Sequence, residues 1–569
     1  MECPTKKQLQ LQEAAAQWDW LAAWQERWGA TGRSPLLWGI DTKELAPETI
    51  DWVESLHAGA IDADRVEGSW KETTATESRL DSGLTALAVA YALPSLAREL
   101  DLEDWWSLLS RAANASNIAL PELEESPLPA LWLGGELPAV LSSLLVEWKR
   151  ASKRFLKMAT RTFSQIADTH LDGTGLPYSR HWPAIRPWVA SWTRAQCITD
   201  SADLKWPEFD SDAAYSWLVR RALQLTRGDG TSMLAAVPPW EAPLVAAALD
   251  WSGDPADGAV ARRLELLGAP TDEREWQRSE LPEPTEFSEW AEGAVLRSGW
   301  RPKAAYLAIA HAGNECQAEM GVRRHPLLHG SVELRVEADG DLLTPQGEWC
   351  STCTFSEEGV DYLELELPLT GGWRLQRQWM LARDEKIVFW ADAVLGEKPA
   401  SLELTLQLPL GGDVEWQPEP ETNDGWLLAN SKRQAWVVPL AAPEWRMSGE
   451  RPAVMQDEGR LLVATSGEGR ALYLPLFFDL HSRRRRVPLR TWRILTVGER
   501  LRIVRPDEAV GYRIQVGKKQ WLVYRSLAPA ASRTVLGQNL MTEFFAGRFR
   551  RSGEVEPYVE VESGDESES

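Results

Sequence analysis

The stretches S-V-E-L-R-V-E at 331–337 and D-Y-L-E-L-E-L at 361–367 decide the architecture of the second half of the chain. In both, apolar and charged residues alternate, which sends successive side chains to opposite faces of an extended strand. Strands of this kind pack on one face and stay wet on the other, the habit of antiparallel sheets. Segments of the same character recur at 305–310, 373–381, 386–391, 402–408, 434–440, 460–464, 471–476, 491–497, 512–516 and 520–526. D-G, G-G and G-E-G turns separate them, so two stacked antiparallel sheets are expected.

The residues before about 285 follow another period. Leu9, Ala16, Trp20, Ala23 and Trp24 lie at helical spacings within 6–28, and Leu137, Val140, Leu141, Leu144, Leu145 and Trp148 build one apolar face within 136–162. Helical patterns also run over 84–100 and 101–113, with Pro94 bending the first, and over 178–197, 213–225 and 244–251. T-H-L-D-G-T-G-L-P, R-G-D-G and P-E-L-E-E-S-P-L-P supply turns between them. Helices joined this way bury their faces on one another, so an array of α-hairpins or an incomplete toroid is expected. The proline-rich, charged stretch 270–292 reads as the linker. The fold class is therefore α+β multidomain: an incomplete α/α toroid over 1–285, an antiparallel β-sandwich over 286–560 and an acidic tail over 561–569.

Composition narrows the function. With 569 residues the chain exceeds one ordinary core, and its formal charge of -23 opposes nucleic-acid binding. The run R-R-R-R at 483–486 is a local exception, read either as a paired loop or as an anion-binding element. The 31 tryptophans, among them Trp18, Trp20, Trp24, Trp28, Trp182, Trp188 and Trp192, are mostly explained as core; a sugar-stacking cleft is the narrower reading. Five cysteines make no disulfide framework, and Cys350 with Cys353 lacks the second pair a four-thiolate zinc site needs. No apolar stretch is long enough to span a bilayer, and the first residues lack a signal-peptide core, so no membrane partner and a cytoplasmic location are expected. Neither a phosphate-cradling glycine loop nor a G-x-S-x-G elbow occurs.

Several motifs together resemble the heparinase II/III-like superfamily. A-E-G-A-V-L-R-S-G-W at 291–300 is similar to its entry strands, and H-G-S-V-E-L-R-V-E-A-D-G-D-L-L-T-P-Q-G-E-W at 329–349 to its central strand, turn and glycine-containing strand. R-T-W-R-I-L at 490–495, Y-R-S-L-A at 524–528 and L-G-Q-N-L at 536–540 suggest a divergent subgroup. The resemblance implies an α/α toroid joined to a β-sandwich, an acidic polysaccharide partner and β-elimination on uronic-acid-containing glycans without an organic cofactor. Some relatives carry a divalent ion in the β domain; no complete ligand set is legible here. Active members place an H-x-H-x-D-like signature before the central strand. In this chain R-R-H-P-L-L-H-G-S stands there, with Leu328 at the expected acidic position and His325 and His329 four apart.

Chemistry selects the site residues that the resemblance points to. Tyr178 and His181, in D-G-T-G-L-P-Y-S-R-H, and His325 and His329 are the candidate proton-transfer groups. Arg180, His311, Asn314 and Arg324 are candidates for holding the substrate, since guanidinium and amide donors neutralise a carboxylate. Each also has an ordinary reading: Tyr178 as packing, His181 as a cap or paired core residue, His311 and Asn314 as a polar turn. Two other functions remain in view, a noncatalytic glycan-binding or structural protein that keeps the scaffold, and an intracellular protein-interaction scaffold.

Overall fold

Asp101 begins a helix: its carboxylate accepts from the backbone N–H groups of Glu103 and Asp104, at 3.0 and 2.9 Å, and caps the helix Leu102–Ala115. The preceding helix, Arg79–Leu96, keeps Pro94 in its last turn and is buried on nearly every side. The computed structural model describes residues 6–20, 23, 33–58, 79–117, 126–206, 211–267, 280–357, 359–447 and 452–562. Trp24 and Trp28, the 270–279 part of the linker, the 121–125 part of one turn and the end of the acidic tail lie outside them. The chain divides into two units, Met1–Pro282 and Glu283–Ser569.

The first unit is helical. The helix expected over 136–162 is divided into a π-helical turn at Trp132–Glu136, a helix Leu137–Leu144 and a long helix Lys149–His170. Ser142 Oγ donates to the carbonyl of Ser152 at 3.0 Å, joining the last two as neighbours. The π turn sits where Gly134 and Gly135 meet Thr162 and Phe163; added Cβ atoms would lie 3.0 and 3.1 Å from those side chains. One extra residue per turn swings Glu136 inward, where Arg194 Nε and Nη2 reach its two carboxylate oxygens at 2.6 and 2.8 Å. Arg194 belongs to the helix Ile185–Ser201, which is apolar or paired almost all round and so lies inside the array.

The second unit is built from antiparallel sheets. Strands Glu286–Ser288, Gly293–Arg297, Ala305–Ala310, Gln317–Val322 and His325–Ser331 pair in chain order in a five-stranded sheet. The first of these occupies sequence expected as linker. An eleven-stranded sheet follows, with Ile387–Pro409 and Arg460–Asp479 paired over most of their length. The two stretches that alternate in sequence lie in it: Glu333–Ala338 pairs with 402–407, and Val360–Pro368 with Arg374–Ala382.

Ile387–Pro409 shows why alternation comes and goes. Residues 387–395 are buried at every position, whereas 400–409 alternate, and a register shift separates the two parts at Leu395/Ala400. The continuous part has cover on both faces. Trp379, Trp390, Leu404 and Leu476 pack with Leu296, Leu307 and Met320 of the five-stranded sheet, while Phe389, Tyr362 and Phe477 pack with Tyr512, Ile514 and Trp521 of a third sheet. The expected stacked pair is thus present and carries a further layer. Each of these large side chains contributes roughly 1.5–3 kcal/mol on burial.

Candidate functional site

The helix Lys149–His170 stops where T-H-L-D-G-T-G-L-P begins. Asp172 Oδ1 accepts from the N–H groups of Thr174 and Leu176 (2.8 and 2.9 Å) and from Thr174 Oγ1 (2.8 Å), folding a tight loop closed by a Leu171–Pro177 bridge. Gly175 takes φ +82° in that loop, and a Cβ there would lie 2.5 Å from the Trp217 Cβ. A second loop repeats the device after the helix Ser211–Gln224: Thr226 bridges to Ser232, and Asp229 accepts from Thr231 N and Oγ1 at 3.0 and 2.6 Å.

The first loop delivers the candidates. Tyr178 N–H donates to the His170 carbonyl at 3.3 Å, and the 3-10 turn Ser179–Ala184 is held by Trp182 Nε1 on the Pro177 carbonyl at 3.0 Å. Tyr178, Arg180 and His181 are thereby brought together. The Arg180 guanidinium lies 4.9 Å from the Tyr178 ring centre, and its Nε donates to His181 Nε2 at 3.3 Å. The His181 ring meets buried His170 edge-on at 5.1 Å and Trp188 at 5.7 Å. Burial, then the nearness of His170 and Arg180, pushes His181 down to about 4, so it is a neutral imidazole at neutral pH. Because Arg180 donates to Nε2, the ring proton belongs on Nδ1. His170 was not selected from the sequence; its position just across the D-G-T-G loop from His181 was the available signal.

In the β unit, Arg323 and Arg324 form the turn of a hairpin. Val322 pairs with His325, and a bulge at Leu327 shifts the register so that Glu319 stands opposite His329. His329 Nδ1 lies 2.8 Å from Glu319 Oε2; the carboxylate is fully buried and the imidazole 41% exposed. A carboxylate on one ring nitrogen fixes the ring and leaves Nε2 for an outside partner. Glu319 is the other residue that sequence reasoning missed. His325 and Arg324 share the hairpin, the first half-buried and the second exposed in the turn. Leu328, at the position where an acid was expected, is packed in the core.

His311 and Asn314 separate from this pair. His311 is 3% exposed, its Nδ1 has no hydrogen-bond partner among the described residues, and burial pushes it down to about 4. Asn314 is exposed in the following turn, where its carbonyl accepts from Trp349 Nε1 at 3.2 Å. Cys350 and Cys353 sit on one edge strand, and a bulge between Ser351 and Cys353 sets them opposite Glu366 and Glu364 as free thiols. Among the described residues no three of His, Cys, Asp and Glu converge to hold a metal ion. Trp182, Trp188 and Trp192 are buried in the core of the helical unit, whereas Trp18 is half-buried and Trp217 is 39% exposed.

A helical array followed by layered antiparallel sheets is the architecture of the heparinase-like polysaccharide lyases, and this chain has that fold. Three solved structures carry the statement. A heparinase III structure superposes with a TM-score of 0.60 at 9% identity, covering 92% of this chain and 92% of that one. A heparinase III gene product gives 0.54 at 12% identity over 93% and 91%, and a mutant of the heparan sulfate lyase HepC from Pedobacter heparinus gives 0.53 at 11% over 84% and 81%. No protein-family model matches the sequence, and no curated protein matches it. At these identities the likeness is one of fold.

Proposed function

We propose that this chain is a divergent polysaccharide lyase-like protein that cleaves a uronic-acid-containing glycan by β-elimination. The observation that carries the reading is the neutral His181 imidazole held against Arg180 beside Tyr178. In such a reaction a base removes the proton from the carbon next to the uronate carboxylate, the adjacent C–O bond breaks, a C=C bond forms, and the departing oxygen takes up a proton. Arg180 suits the carboxylate, whose charge it neutralises through paired donors. When the carboxylate draws Arg180 away, the His181 Nε2 lone pair is released, and the added negative charge raises the basicity of the ring. Tyr178 then supplies the proton for the departing oxygen.

The test is ultraviolet absorbance of unsaturated product from a panel of uronic-acid polymers. His181→Ala and Tyr178→Phe are expected to lower the rate about 10²–10⁴-fold, the range for losing a general acid or base. The proposal fails if no polymer in the panel yields unsaturated product. Leu328, buried where an acid was expected, favours a second reading, a noncatalytic glycan-binding protein. Glycan binding that survives both His181→Ala and Tyr178→Phe, with no product from the parent, would select it.

A further inference from the structure

The basic run at 483–486 does not act as one patch. Arg484 turns inward, donating to Asp479 Oδ2 through Nε at 2.7 Å and to Glu385 Oε2 through Nη1 at 2.6 Å. Glu385 is further held by Lys519 and Arg548, so these acids are fully engaged. Arg485, the next residue, has no such partner: its Nε and Nη2 are both buried without a hydrogen bond among the described residues.

Arg485 faces other cations. Four connections meet at its end of the sheets, tied by hydrogen bonds to backbone carbonyls: Arg323 N–H donates to the Ala304 carbonyl at 3.3 Å, Lys386 Nζ to the Lys303 carbonyl at 2.6 Å, and Leu480 N–H to the Lys386 carbonyl at 3.0 Å. The ties bring Arg301 and Lys303, Arg323, Lys386 and Arg485 into one neighbourhood. Burial lowers the Lys386 ammonium, and the four charges that lower it further are Arg323, Arg301, Arg485 and Lys303. Burial and Arg323 likewise lower Arg485, with Asp479 the opposing charge, and Asp479 already holds Arg484. Arg323 and Lys386 also occupy left-handed backbone positions, φ +65° and +51°, which cost a non-glycine residue about 1 kcal/mol each. Like charges gathered from four turns of a chain with net charge -23 repel one another unless an anion sits among them.

We propose that Arg301, Lys303, Arg323, Lys386 and Arg485 form a binding site for a tetrahedral oxyanion, either a sulfate half-ester on a glycan chain or free phosphate. Planar guanidinium forks and the Lys386 ammonium match such oxygens with charge-assisted hydrogen bonds, and the buried Arg485 nitrogens gain the acceptor they lack. The anion site is independent of the lyase reading; only the glycan source of the sulfate rests on it.

The test measures binding by calorimetry on the full chain, with sodium sulfate and inorganic phosphate against chloride at matched ionic strength. Both oxyanions should bind, and Arg323→Gln, a change in an exposed turn, should weaken them at least about tenfold, the scale for one charge-assisted contact. Arg485→Gln with Lys386→Gln should abolish binding while leaving the chain as stable as the parent in chloride, since repulsion is relieved. A heparan sulfate oligosaccharide that displaces bound sulfate, where unsulfated hyaluronan does not, assigns the glycan source; free phosphate that neither displaces assigns the other. No oxyanion effect beyond chloride, or an effect unchanged in Arg323→Gln, overturns the site. Elimination assayed in parallel with His181→Ala separates this result from that of the lyase reading, because His181 lies outside the cluster.

Discussion

Replacing Glu136 with alanine should cripple the helical unit. Glu136 is wholly buried and meets Arg194 Nε and Nη2 at 2.6 and 2.8 Å and the Tyr91 hydroxyl at 2.9 Å; Arg194 Nη1 donates to the Pro35 carbonyl at 2.7 Å. Alanine leaves the guanidinium, 1% exposed, without its counter-charge, a loss of about 3–5 kcal/mol. It also removes an acceptor from the Tyr91 hydroxyl, which costs about 1 kcal/mol more. A total near 4–6 kcal/mol is comparable with the whole stability of many domains, roughly 5–15 kcal/mol. Glu136→Leu with Arg194→Met removes both charges and should recover most of the loss, because the ion pair repays little beyond its own desolvation. Urea unfolding read by tryptophan fluorescence and by circular dichroism would measure both, taking the transition that moves between variants since two units need not unfold together. A shift below about 1 kcal/mol for Glu136→Ala, or a double variant as weak as the single one, would refute the assignment of this pair as the helical unit's buried charge clamp.

Two further outcomes follow from the same geometry. His311 is held near 4 against an unfolded value of 6.5, so the unfolded chain binds the extra proton between these values; stability is complete above about pH 6.5 and should fall by up to about 3 kcal/mol as the pH drops to about 4, and His311→Gln should remove that part of the acid slope in denaturation curves. Gly175→Ala forces a Cβ to 2.5 Å from Trp217 at a left-handed φ, so it should cost about 2 kcal/mol or more and lower turnover as well by displacing Tyr178; an unchanged melting temperature would show that the loop yields freely.

Much of the architecture is legible in the sequence because burial leaves its imprint where only one face of an element is covered. The stretches at 331–337 and 402–408 alternate in sequence and in burial, whereas 361–367 alternates in sequence yet is buried on both faces, its Asp361 and Glu364 paired with Arg383 and Arg525 rather than wet. The third sheet was not foreseen as a separate layer, since residues covered on both faces, such as 387–395, lose the alternation that assigns a face. The split of the 136–162 helix was hidden for a related reason. A π turn and a hairpin preserve the apolar spacing of Leu137, Val140, Leu141 and Leu144, while Gly134 and Gly135 mark the close approach only once Thr162 and Phe163 are seen beside them.

The candidate site divides along the same physical line. Tyr178, Arg180 and His181 lie within four residues, so local turn chemistry alone brings them together, and D-G-T-G announces that turn. Glu319 and His329 are ten residues apart and meet only through the bulge at Leu327. Were the register unbroken, with Leu327 paired to Met320, Leu328 would stand opposite Glu319 and His329 opposite Ala318, on the other face of the sheet. The bulge instead sets His329 opposite Glu319, whose buried carboxylate waits across the ladder. A bulge changes partners without changing composition or alternation over so short a span, so the pairing that orients His329 becomes visible only when the register is known.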